Sequence, residues 1–144
     1  MLPDKLAQLG IKGADIKRLQ TDGFLLHRGQ TVQLSDVSAP RIGQKVTVVM
    51  DSRPCENAVR LAEGADVLVS EATFTREHEH EAHEYAHMTA EQAAQIAERA
   101  GVRKLVLTHF SQRYQSTAGH IAEASAVFPD VVAAEDFSKV SVPP

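Results

Sequence analysis

Three apolar runs punctuate the chain: KVTVVM (45–50), ADVLVSEATF (65–74) and KLVLTHF (104–110). Each is short, rich in valine and leucine and nearly unbroken by polar residues, the pattern of strands buried in a sheet. Between them the period changes. A helix is expected from about 56 to 63, stopped by Gly64, and another over 90–100, opened by the capping box Thr89-Ala-Glu-Gln92 and ended by Gly101. A third is expected over 118–128, followed by short strands at 131–136 and 139–142. Ahead of the first run, residues 3–28 read as an irregular lead with helical stubs at 6–9 and 16–19 between glycines. Residues 31–37 alternate as an edge strand or hairpin arm would, and Arg41-Ile42-Gly43-Gln44 reads as a turn. Strands alternating with helices in this order predict an α/β layered fold.

The polar ends of those runs share an address. Asp51, Glu71 and His109 each stand at or just past the C-terminal end of an expected buried strand, the edge at which α/β sheets bind ligands. Taken singly, each has an ordinary explanation. Asp51 suits a helix N-cap, His109 a hydrogen-bonded structural histidine, and Glu71, near a core, needs a partner to offset its burial.

A second pattern competes for attention. In HEHEAHEYAHMT (78–89), His83-Glu84-Tyr85-Ala86-His87 is a formal H-E-x-x-H, which places two zinc-binding histidines on one face when the helix is continuous. Here the Thr89 capping box starts a helix two residues after His87, so His87 falls in the approach to a helix. No apolar stripe runs through REHEHEAHEY to bury such a helix. The stretch reads as a solvated face whose His78, His80 and His83 bind metal adventitiously.

Composition bounds the rest. The 144 residues are one domain's length, 43% hydrophobic and 24% charged, as in globular proteins, with no tryptophan. The start of the chain has no apolar signal core, no apolar run nears ~18 residues, and Cys55 is the single cysteine. Together these read as a cytoplasmic protein with no membrane partner. The net charge of −4 argues against a general nucleic-acid coat, but residues 1–53 carry eight Lys/Arg against five Asp/Glu and residues 54–144 seven against fourteen. A basic front half still meets phosphate locally.

Together the motifs resemble a family. The order Asp51-Ser-Arg, Ser70-Glu-Ala-Thr-Phe, His87-Met-Thr-x-x-Gln-Ala-Ala and Leu107-Thr-His109-Phe-Ser-x-Arg-Tyr resembles tRNase Z, the tRNA 3′-processing endoribonuclease of the metallo-β-lactamase superfamily. VVAAEDFSKVSVP looks like that family's last strands, and the segment from PDKLAQLGI to RGQTVQL like the region of its tRNA-binding arm. The resemblance implies a single domain over 1–144 that is half of an αβ/βα sandwich, one mixed β-sheet with flanking helices. Residues 1–30 would be a remnant of the arm region and 31–144 the sheet and helices.

It also implies two Zn2+ ions per complete site. Asp51 would bridge them and His109 ligate one, lowering the pKa of a shared water and stabilising the phosphorane charge. His87 corresponds to the general acid for the leaving 3′-oxygen, with Glu71 orienting it. Ser111, Arg113 and Tyr114 would stand near the nucleotide at the cleavage point, Arg113 on phosphate and Tyr114 stacked on a base. Lys17 and Arg18 would grip the precursor tRNA through its phosphates.

The family's H-x-H-x-D-H string occurs nowhere in these 144 residues, so the chain is expected to match the C-terminal half, with little nuclease activity by itself. Met50 and Ser52 flank Asp51 where the family has Gly and Thr, and Ser70 replaces a histidine before Glu71. The expected partner is a complementary N-terminal half or a second copy in a homodimer. Two alternatives stay open: a non-catalytic half-sandwich module that needs a partner chain, and another metallo-β-lactamase-type phosphodiesterase.

Overall fold

The computed structural model describes residues 1–40 and 43–143, so Arg41 and Ile42 of the expected turn lie outside the described residues. The chain divides into two compact units, Met1–Gly43 and Gln44–Pro144. The boundary expected at residue 30 falls inside the first unit, because hairpin pairing keeps the alternating segment with the helices before it.

That unit has more order than an irregular lead. Helices α1 (Pro3–Leu9) and α2 (Ala14–Asp22) both stop at glycines in the left-handed conformation, Gly10 and Gly23. Strands β1 (Phe24–His27) and β2 (Gln30–Gln33) form an antiparallel hairpin in which His27 faces Gln30. Its two-residue loop, Arg28-Gly29, has positive φ at both positions, 51° and 80°, which matches the twist of the arms. Leu6, Ile11, Leu19, Val32 and Val37 form the unit's own small core.

The second unit is built on a four-stranded sheet in the order β3 (Val46–Val49), β4 (Val67–Glu71), β5 (Leu105–Thr108), β6 (Val131–Ala133). All three pairings are parallel. The sequence leads one to expect a mixed sheet, whereas the described antiparallel pairing is confined to the hairpin of the first unit. Residues 139–142, expected as a strand, form none; there the Gln44 side-chain amide donates to the carbonyls of Val142 and Pro143 at 3.4 and 3.0 Å.

Helices α3 (Glu56–Ala62), α5 (Ala90–Ala100) and α6 (Ala118–Val127) share one core with Val49, Leu68, Leu105 and Leu107 of the sheet. Helix α5 buries Ala90, Ala93, Ala94, Ala97 and Ala100, spacings that keep one face small enough for close packing. Its capping box forms as expected, with Thr89 Oγ1 accepting from Gln92 N–H, a cap that contributes about 1 kcal/mol. On β3 the alternation is plain: Thr47 and Val49 are buried, while Val46 and Val48 are 52% and 56% exposed.

Candidate metal centre and active site

Parallel register aligns the ends of the strands. Val49 pairs with Ser70, and Glu71 with Thr108, so the residues that follow emerge side by side at the C-terminal edge. Two of them leave their strands with strained backbone: Asp51 has φ 48° and His109 φ 58°. Such left-handed conformations cost non-glycine residues on the order of 1 kcal/mol each and mark places where side-chain aim outweighs local stability. His87 follows Ala86, which has φ 64°, beyond the end of the short helix α4 (Glu79–Glu84).

Glu71 is the hub. Its side chain is fully buried and four donors point at it. Ser52 N–H reaches Oε1 at 2.5 Å. Thr73 Oγ1 at 2.7 Å, His87 Nδ1 at 3.0 Å and Met88 N–H at 3.2 Å reach Oε2. A carboxylate only accepts, so this set satisfies it in its charged form. Because His87 Nδ1 carries the proton of that bond, its other ring nitrogen is free for chemistry. Thr73 Oγ1 also lies 2.9 Å from His109 Nδ1, and His109 Nε2 lies 3.4 Å from Asp51 Oδ1.

The residues fit a metal ion. One ligand atom each from Asp51, His87 and His109 lies within 4.8 Å of the others, an oxygen–nitrogen set of the kind zinc accepts. His109 Nδ1 meets the Thr73 hydroxyl and Nε2 faces Asp51 Oδ1 at 3.4 Å, close enough for the two atoms to share a cation. Both histidines have the outer hydrogen-bond partners that orient metal-binding imidazoles.

The other expected site residues make contacts of their own. Arg113 is exposed, with its guanidinium carbon 4.9 Å from the centre of the Phe74 ring and an ion pair to Glu81 at 3.6 Å. Ser111 N–H donates to Thr73 O at 3.0 Å, which ties the loop after β5 to the loop after β4. The Tyr114 hydroxyl is already engaged, accepting from Thr75 N–H at 3.0 Å and meeting His78 Nδ1 at 2.9 Å. Lys17 and Arg18 are exposed on α2 of the first unit. In the H-E-x-x-H, α4 ends at Glu84 before His87 is reached; His83 is exposed, and its backbone carbonyl accepts from Arg53 Nε at 2.7 Å.

Two further residues stand out, neither with a role in the expected site. Thr73 bridges Glu71 and His109; the available signal is its i+2 spacing from Glu71 on an extended chain. His120 is fully buried between Phe110 and Tyr114, whose ring centres lie edge-on at 4.9 and 4.6 Å. Burial holds its pKa below the ordinary histidine value, opposed by the backbone of Thr73.

Comparison with known proteins gives this edge a lineage. A family profile described as Beta-lactamase superfamily domain matches residues 13–110. Proteins named Ribonuclease Z from Nocardia farcinica and Thermobifida fusca are 52% and 50% identical to the chain over 145 and 147 residues, covering 100% and 99% of it. The same matches cover 48% and 46% of those proteins, so the chain spans about half the length of these curated relatives. Among solved structures, human tRNase Z, short form, superposes with a TM-score of 0.53 at 31% identity, over 79% of this chain and 37% of its own. The metallo-beta-lactamase fold protein YhfI of Bacillus subtilis gives 0.55 at 31% identity, over 61% and 36%. The parallel sheet, the convergent Asp51, His87 and His109, and a profile that spans most of the chain place this protein in the beta-lactamase superfamily, alongside proteins named ribonuclease Z.

Proposed function

We propose that the chain carries part of the active site of a cytoplasmic, zinc-dependent endoribonuclease that removes the 3′ trailer of precursor tRNA, leaving a 3′-hydroxyl. The observation that carries this reading is the buried Glu71 carboxylate, which bonds His87 directly and His109 through Thr73 at the strained sheet edge. In the proposal Asp51 and His109 hold zinc, with His87 beside them. Bound there, the metal supplies Lewis acidity and a nucleophile at neutral pH. His87, fixed at Nδ1 by Glu71, presents its other nitrogen to the leaving 3′-oxygen as general acid. Arg113 neutralises substrate phosphate beside Ser111, Tyr114 braces their loop, and Lys17 and Arg18 hold further tRNA phosphates.

Two donors, Asp51 and His109, are fewer than a two-metal site needs, and the named relatives are about twice as long. A complementary half completes the site in this proposal, whereas a second copy, which has the same ligands, covers only the sheet face. The exposed Val46, Val48 and Met50 support a covered sheet face.

A trailer-processing assay tests the reading. The chain with zinc is expected to leave a precursor tRNA largely uncut. Joined to the remaining half of the Nocardia farcinica relative, it is expected to cut after the discriminator base, and His87→Ala is expected to slow the cut by orders of magnitude. A folded chimera that leaves precursor tRNA intact while hydrolysing bis(p-nitrophenyl) phosphate would overturn the tRNA reading in favour of another phosphodiesterase.

A further inference from the structure

Thr73 is buried, 7% exposed, yet it is the contact between the two halves of the site. Its hydroxyl lies 2.7 Å from Glu71 Oε2 and 2.9 Å from His109 Nδ1. A hydroxyl has one proton and two lone pairs, and an ionised carboxylate has no proton to give. The proton of Thr73 therefore goes to Glu71, and its oxygen receives a proton from His109. That requirement makes Nδ1 the protonated nitrogen of His109 and leaves a lone pair on Nε2, the atom 3.4 Å from Asp51 Oδ1.

Glu71 imposes the same orientation on His87 directly, through Nδ1 at 3.0 Å. One buried carboxylate thus sets both rings, His87 by contact and His109 at one remove. The remote ring depends on a single hydroxyl. Loss of that hydroxyl leaves His109 Nδ1 without its acceptor, and the ring is then free to carry its proton on Nε2, facing Asp51.

We propose that Thr73 is a positioning residue that relays the hydrogen bond of Glu71 to His109 and fixes the tautomer in which His109 Nε2 is a ligand. The consequence for metal affinity rests on the zinc reading above; the tautomer is a property of the chain itself. Threonine and serine satisfy the requirement, whereas valine, of nearly the same shape, does not.

The experiment is long-range 1H–15N correlation on the histidine rings of the 15N-labelled chain, without metal, at a pH where the rings are neutral. His109→Gln identifies the His109 signals. The wild type and Thr73→Ser are expected to show His109 protonated on Nδ1, and Thr73→Val to move the proton to Nε2. Zinc titration of the same proteins is expected to show about 10–100-fold weaker binding for Thr73→Val and recovery in Thr73→Ser.

A wild-type ring protonated on Nε2 overturns the proposal whatever the variants do, so failure of Thr73→Val to fold does not protect it. A folded Thr73→Val with an unchanged His109 tautomer overturns it as well. If Thr and Ser hold the Nδ1–H form, Val loses it and none of the three binds zinc, the Thr73 relay is upheld and the zinc reading fails.

Discussion

The two edges of the parallel sheet use the same residue types to different ends. At the N-terminal edge, Asp66 accepts from Lys45 N–H at 2.7 Å and pairs with Arg103 at 3.2 Å, while Lys104 pairs with Asp130. The Lys45 bond, before the Arg103 contribution, holds the Asp66 carboxyl below its ordinary value. Its stability contribution is therefore present above about pH 4 and lost as acid protonates the group. At the C-terminal edge, Glu71 is wholly buried, collects four donors and sits among residues with left-handed backbone. Solvated charge fastens strand ends together; buried charge orders the groups around it. A carboxylate at a strand end becomes chemistry when its neighbours depend on it.

The largest test of that contrast is removal of the two acids. Glu71→Leu leaves Ser52 N–H, Met88 N–H and the Thr73 hydroxyl without their acceptor and is expected to cost on the order of 3–5 kcal/mol. Asp66→Ala is expected to cost far less, since solvent replaces its partners. Urea unfolding of both variants checks the order, and equal losses would erase the distinction between the edges.

Next is the contrast within H-E-x-x-H. In the chimera that processes tRNA, His87→Ala is expected to lower turnover by roughly 10²–10⁴-fold, the scale of general acid catalysis. His83→Ala keeps the backbone carbonyl that Arg53 uses and is expected to stay near wild type. Single-turnover rates decide between them.

How much of this was legible in the sequence follows from what each residue needed. Strands β3, β4 and β5 come from unbroken apolar runs, and their shared register brings Asp51, Glu71 and His109 to one edge. Strand β1 escapes notice because FLLH is short and its turn is Arg-Gly rather than the usual Asn-Gly. Helix α4 escapes because Ala82 is its single buried residue, too little for a stripe. At the site, two of the donors to Glu71 are backbone N–H groups that no side-chain pattern encodes. Thr73 belongs to the Ser70-Glu-Ala-Thr-Phe motif, but its role appears only when the chain brings His109, 36 positions away, against it.

A smaller effect concerns pH. His120 is neutral by burial, so its folded-state pKa lies below the unfolded value near 6.5. The unfolded chain takes up that proton first, and stability is expected to fall as pH drops below about 6.5, with a slope of up to about 1.4 kcal/mol per pH unit for one proton. His120→Phe removes this component, and the difference between the two stability profiles from pH 7.5 down to 5 measures it. Smallest is Ala86→Gly, which relieves a φ of 64° and is expected to raise stability by up to about 1 kcal/mol in thermal unfolding.

Zinc titration of the isolated chain decides whether the C-terminal edge or the histidine-rich helix is the metal site. Wild type and His83→Ala are expected to bind with the same affinity, while Asp51→Ala and His109→Ala bind roughly tenfold or more weakly. If His83→Ala loses zinc as fully as His109→Ala, or if Asp51→Ala and His109→Ala lose none, the C-terminal edge is not the metal site.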